Sequence, residues 1–304
     1  MRDGVFITGG SGLLAVNWAA ALRERGPVTL GLHERSISLA GAGTYALSLG
    51  SVDDVGRAID AVEPRIVVHT AGLANVESCE EDPVRARAVN VEIAVNVAIA
   101  CASRALPLIH VSTDHVFRGA EALSEESHPV DPQNEYGRTK AEAERRVLEA
   151  YPGALVVRAN FYGWGPHYRR SFSDSIIEAL RQGEAITLFT DVFFTPILAE
   201  PLAIAAHDLI ARQARGIVHV VGDERLSKHD FGLRVAKRFQ LDAGLIRAGV
   251  LADRPLLVRR PLDMSLSNGL ARRLLGRPLG NVDTHLARLQ EQEQRGLARE
   301  LHTL

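Results

Sequence analysis

The 304 residues include only two cysteines, Cys79 and Cys101, and neither stands in a C-x-x-C or Cys/His spacing. A disulfide framework and a structural zinc site are therefore not expected, no other metal is expected, and a reducing compartment fits best. No apolar run reaches about 18 residues, and the segment after Met1 lacks the basic, long apolar, small-residue order of a secretory leader. Neither membrane insertion nor secretion is indicated, and a cytoplasmic location is expected. Basic tracts are missing too: 35 Lys and Arg stand against 37 Asp and Glu. That balance leaves no electrostatic footprint for nucleic acid, so small-molecule partners are favoured. With 46% apolar and 24% charged residues, the composition excludes disordered, collagen-like and coiled-coil classes.

The first half alternates short β-branched runs with helical stretches. Strand-like segments fall at residues 5–8, 28–30, 66–70, 108–111 and 155–157, with helical periodicity over 13–25, 52–62, 82–105 and 135–150. This rhythm predicts an α/β fold, a doubly wound parallel sheet with helices on both faces. Beyond about residue 160 the pattern loosens. Helices are expected near 172–181 and 198–212, strands near 185–189 and 216–221, and Ser227 is a helix N-cap candidate. The segment 241–266 is poorly periodic, and 282–301 reads as a charged amphipathic helix. The length suits one large body, residues 1–160, with a smaller C-terminal substrate lobe, 161–304, interleaved with late sheet strands. The helix over 84–105 is apolar enough to pair two copies as a homodimer, although the same face can serve as core.

Strand residues 5–7 run into Thr8-Gly9-Gly10-Ser11-Gly12-Leu13-Leu14-Ala15 and then a helix. Gly9 permits the tight turn, Gly12 lets backbone approach a pyrophosphate, and Ala15 allows close helix packing, so Gly9, Ser11, Gly12 and Leu13 are expected to bind a dinucleotide. At the end of the second strand no aspartate awaits a ribose. His33 and Arg35 are there instead, flanking Glu34, and favour NADP(H) with NAD(H) as the alternative. Ala71 and Gly72 follow another strand end where a flat cofactor can lie on backbone. His69 and His110 read as satisfied core histidines. The strongest constellation joins Ser112-Thr113-Asp114, at the end of a buried strand, to Tyr136 and Lys140, four apart on one helix face. The ammonium is expected to lower the tyrosine pKa, making Tyr136 a usable proton donor, with Thr113 bonding the same oxygen while a nicotinamide delivers hydride.

Taken together, residues 8–15, 75–80, Val89-Asn90-Val91, 112–119 and 136–140 resemble the extended short-chain dehydrogenases, and within them the dTDP-4-dehydrorhamnose reductase family of the RmlD type. The resemblance covers about residues 4–240. It implies a Rossmann-type NAD(P)-binding domain and reduction of a 4-keto group on a nucleotide-linked deoxysugar by Thr113, Tyr136 and Lys140. It also implies substrate contacts from Asn75, Asp114, His115, Asn160, Phe161 and Trp164, with Ser48 and Leu49 near the adenine. Asn90 is expected behind the site, tying its helix to the catalytic strand. Departures from the family pattern are His115 in place of tyrosine, Phe161 in place of tryptophan, and the order Thr195-Pro196 in the late motif. Two other readings compete. An epimerase or dehydratase would retain NAD and need further acid/base residues, but no acidic residue ends strand two and no Glu follows Asp114. A non-catalytic NADP-binding regulatory subunit is the other, against which the intact Thr113, Tyr136 and Lys140 argue.

Overall fold

The computed structural model describes residues 4–253 and 258–304. The first half comprises β1 (Val5–Thr8), α1 (Leu13–Leu22), β2 (Val28–Leu32), β3 (Gly43–Ala46), α2 (Val52–Val62), β4 (Ile66–His69), α3 (Val76–Glu81), α4 (Pro83–Arg87), α5 (Ile93–Ala102), β5 (Leu108–Thr113), α6 (Glu135–Ala150) and β6 (Leu155–Ala159). The second comprises β7 (Phe161–Tyr162), α7 (Phe172–Arg181), β8 (Ile186–Phe189), β9 (Phe193–Phe194), β10 (Ile197–Leu198), α8 (Ala199–Ala211), β11 (Gly216–His219), β12 (Leu226–Ser227), α9 (Lys228–Phe239), β13 (Ile246–Gly249), α10 (Gly269–Leu275), α11 (Val282–Gln294) and α12 (Leu297–His302).

Seven parallel strands form the central sheet in the order β11-β6-β5-β4-β1-β2-β3. Successive strands leave β1 in one direction and β4 in the other. The carboxyl ends of these two neighbours are therefore the topological switch point, where a Rossmann-type sheet opens a crevice. Side chains alternate across the sheet as the strand period requires. Phe6, Val67, Leu108 and Val156 join the core under α2, α5 and α6, while Ile7, Val68, Ile109 and Val157 join the one that also holds residues of α1 and α8. The expected α/β, doubly wound sheet is found, and β11 joins it from the second half of the chain.

Some elements escaped the sequence. β3 has no apolar run, because it is an edge strand whose side chains are mostly exposed, so burial never shaped its pattern. The strand near 185–189 forms, but β8 pairs with β13 in a separate two-stranded ribbon rather than in the main sheet. β13 lies in the poorly periodic stretch, of which residues 254–257 are outside the described residues, as are Met1 to Asp3. The expected final helix is broken at Gly296, whose φ of 88° no helix accommodates. The apolar face of α5 is used within the chain: Ala94, Val97, Ala98 and Cys101 are buried in the core shared with α2 and α6. Among the described residues no helix is long and apolar enough to cross a membrane.

Candidate active site

The turn after β1 is shaped by what its glycines must avoid. Gly9 has a φ of 73°, and a Cβ there would sit 2.7 Å from the backbone of Ala71, which follows β4. Gly12 opens α1 as an N-cap with no side-chain cap bond, and no acidic residue occupies the first turn. In α2, α3, α6 and α7, by contrast, a Ser or Asn side chain caps the first turn. The first amides of α1 thus face the crevice with the positive end of the helix dipole. Gly9, Ser11, Gly12, Leu13, Ala71 and Gly72 line one cleft of about 300 Å³ together with Tyr136, Lys140, Phe161 and Arg169. Ser11 also lines an adjoining cleft with His33, Glu34 and Arg35. The structure therefore brings most of the expected cofactor residues together. Ser48 and Leu49 are apart from both clefts: Ser48 is exposed beside Asp54, and the Leu49 side chain is in the core.

On the opposite wall β5 ends in Thr113, whose hydroxyl accepts from the His115 amide (3.2 Å) and donates to Asp114 Oδ1 (3.1 Å). Asp114 is buried, and its other oxygen accepts from Asn160 Nδ2 (2.5 Å), so Thr113, Asp114 and Asn160 form one network. Asn134 caps α6 by accepting from the Gly137 amide (2.9 Å). This places Tyr136 in the first turn, with the His115 ring edge-on to it at 5.4 Å between centroids. A Cβ at Gly137 would fall 2.4 Å from the His115 carbonyl oxygen, so glycine alone lets α6 lie this close to the end of β5. We expect Gly137→Ala to cost about 1–3 kcal/mol, the range for overpacking, and to lower kcat more than it weakens cofactor binding. Unfolding midpoints and steady-state kinetics measure the two effects.

The expected influence of Lys140 on Tyr136 is not found. The Lys140 ammonium turns toward the strand and donates to the Val111 carbonyl (2.7 Å). Burial holds its pKa down at about 8, with Glu144 one turn further on acting to raise it. Burial likewise pushes the Tyr136 phenol up to about 12; the Thr113 hydroxyl opposes this and the Asp114 carboxylate adds to it. The phenol is thereby kept protonated across the neutral range, which suits a proton donor. α6 itself is pinned to β6 by a buried, bidentate pair, with Arg158 Nε and Nη2 donating to the two Glu144 oxygens (2.9 and 2.7 Å).

Other assignments change. Trp164 is 1% exposed, packs edge-on against Phe239 and donates from Nε1 to the Leu289 carbonyl (3.1 Å). It is a core residue and not a substrate contact; of the aromatic run 161–164 only Phe161 lines the cleft. Asn75 is exposed and caps α3 through the Ser78 amide (2.7 Å). Asn90 lies in a π-helical turn, Ala88–Glu92, and bonds the Leu73 amide and carbonyl and the Thr139 hydroxyl. It ties α6 to the loop after β4, not to the catalytic strand. His69 and His110 do lie in the core, stacked at 5.3 Å, but only His69 Nδ1 has a partner, Thr8 Oγ1, and burial drives His69 down to about 3.

Three cations were missed by sequence reasoning. Arg169 lines the cofactor-side cleft. Lys228, at the start of α9, stacks over Phe194 (3.3 Å) and Phe172 (4.7 Å), and burial lowers it to about 8 against the pull of Asp114. Arg260 pairs with Glu77 and, with Lys228, acts on His115. Each reaches the site from a loop or helix end far along the chain, where no local pattern marks it.

The chain is 30% identical to a probable low-salt glycan biosynthesis reductase, Agl14, of Haloferax volcanii, over 87% of this chain and 91% of that one. It is 26% identical to a dTDP-4-dehydrorhamnose reductase of Aggregatibacter actinomycetemcomitans, over 72% and 78% respectively. Among solved structures, the dTDP-4-dehydrorhamnose reductase of Bacillus anthracis in complex with NADP superposes with a TM-score of 0.84 at 22% identity, covering 96% of this chain and 100% of that one. The family model described as the RmlD substrate binding domain matches residues 1–295, and the chain belongs to that family.

Proposed function

We propose that this protein is an NADPH-dependent reductase of a 4-keto group on a nucleotide-linked sugar, with NADH as a weaker alternative. The observation that carries the reading is the meeting, at the switch point of the sheet, of a protonated Tyr136, the Thr113 hydroxyl and a cleft lined by glycine backbone. The cleft fits a dinucleotide: its lining includes the cations Lys140 and Arg169 and no carboxylate, and uncapped amides of α1 border it. Gly9, Ser11, Gly12 and Leu13 would hold the phosphates, Ala71 and Gly72 the flat rings, and His33 and Arg35 a 2′-phosphate. When bound, the reduced nicotinamide supplies a hydride equivalent for a ketone.

The chain's own part is acid catalysis. Tyr136 gives its phenolic proton to the keto oxygen as negative charge develops there, and Thr113, whose single hydroxyl proton is on Asp114 in the free protein, turns it from Asp114 to the same oxygen. Lys140, anchored on Val111, keeps positive charge beneath the site. Asp114, His115, Asn160 and Phe161 border the sugar, and Lys228 and Arg260 offer charge for its nucleotide phosphates. Support comes also from the relatives named above as reductases of such sugars.

The test is calorimetric titration with NADPH and NADH, then addition of dTDP- and UDP-linked 4-keto sugars while cofactor absorbance is followed. NADPH should bind roughly tenfold or more tighter than NADH, the worth of one or two charge-assisted bonds, and a sugar of this class should oxidise it stoichiometrically. Tight cofactor binding with no turnover on the whole panel would point instead to a regulatory subunit.

A further inference from the structure

The loop between β7 and α7 crosses the glycine-rich turn as a strap and touches residues of both cofactor clefts. Its root is buried: a Cβ on Gly165 would meet Leu13 Cδ1 at 2.7 Å, and the Gly165 amide donates to the buried Asp174 carboxylate (3.1 Å). Asp174 in turn bonds His302 of α12 through both oxygens at 3.1 Å. Beyond the root, residues 167–170 turn back over the glycine-rich turn. The Tyr168 hydroxyl donates to the Ser11 carbonyl (2.8 Å), and the Arg35 guanidinium lies flat on the Tyr168 ring at 3.8 Å. Arg170 pairs with Glu178 on α7. Arg169, between these two anchored residues, has no ion pair or side-chain hydrogen bond among the described residues, yet lines the same cleft as Gly9 and Gly12.

We propose that Arg169 is a ligand of the dinucleotide diphosphate, closing over it from the side opposite the N-terminus of α1, and that Tyr168 is the residue that sets selectivity for the 2′-phosphate by holding Arg35 in place. A guanidinium stacked on a ring keeps its planar N–H fork free for a phosphate while losing the rotational freedom it would otherwise forfeit on binding. A helix N-terminus supplies neutral donors to one side of a diphosphate, and a free guanidinium supplies formal charge from the other. The strap thus reads both ends of the adenosine half through two consecutive residues, and it comes from the second half of the chain, not from the nucleotide-binding half. This rests on the cofactor assignment made above.

A diphosphate is also present in a nucleotide-linked sugar, so the binding experiment carries both. Wild type, Arg169→Ala, Arg169→Lys and Tyr168→Ala are titrated calorimetrically with NADPH, NADH and dTDP. Arg169→Ala should weaken NADPH and NADH alike, by roughly 10- to 100-fold, with Arg169→Lys between and dTDP unchanged. Tyr168→Ala should weaken NADPH at least fivefold more than NADH. Loss of dTDP binding with both dinucleotides unaffected would transfer Arg169 to the substrate and overturn the proposal, as would equal affinities in all variants. If wild type binds neither dinucleotide, the cofactor assignment itself fails, a result separate from any effect of the strap. Arg169 is exposed, and an unchanged melting temperature confirms that its variants fold.

Discussion

Tyr136→Phe should lower kcat by about 10²- to 10⁴-fold, the usual worth of a positioned general acid, while the Kd for NADPH changes by less than about threefold. The substitution removes one oxygen from a ring that stays packed against His115, so the fold has no reason to respond. Its effect falls on the proton alone. Burial keeps that proton on the phenol until about pH 12, so in the wild type it is there to be given throughout the neutral range. In the resting site the Thr113 hydroxyl accepts from the His115 amide and donates its only proton to Asp114, so it partners the ketone oxygen only by turning that proton away from Asp114, and it is no substitute acid. Stopped-flow cofactor oxidation, set beside calorimetric binding, separates the chemical step from affinity. Turnover within tenfold of wild type would remove Tyr136 from the reaction.

Arg158→Leu should destabilise the fold by about 3–5 kcal/mol, because it strands the Glu144 carboxylate in a site where only 3% of that side chain is exposed. For a chain of this size that corresponds to a fall in Tm of about 5–8 °C. Exposed pairs such as Arg145–Glu149 are worth under about 1 kcal/mol and make the internal comparison. The double variant Arg158→Leu, Glu144→Leu should recover much of the loss, since two apolar side chains need no partner. Calorimetric unfolding of the single and the double variant decides the matter; a single-variant cost below about 1 kcal/mol would mean that the pair is not buried as described. Activity should fall with stability, because Glu144 shares α6 with Lys140 and Tyr136, and the pair fixes that helix against β6.

How much of this was legible beforehand follows from how local each signal is. The turn after β1, the end of β5 and the first turn of α6 are each written in a few consecutive residues, and the sheet order brings them together without further instruction. α2, α6 and α7 follow the expected spans because apolar period and cap coincide, as with Ser51, Asn134 and Ser171. What could not be read depends on direction. Trp164 and Phe161 are three residues apart in one aromatic run, yet one points into the core and the other into the cleft. Lys140 stands one turn from Tyr136, but its long stem leads to Val111 instead. Arg169, Lys228 and Arg260 sit in sequences that look like any solvated loop or helix end, and only tertiary packing gives them a common target.

The bond between His302 and Asp174 spans 128 positions, and through Asp174 it supports the root of the strap at Gly165. Domains are assembled from the N-terminal side as the ribosome delivers them at about 5–20 residues per second. The sheet, the glycine-rich turn and the Tyr136–Lys140 helix can all be in place while α12 has yet to emerge. During that interval the crevice stands with the root of its strap lacking the bond from His302, so one support of the strap is made long after the crevice it crosses.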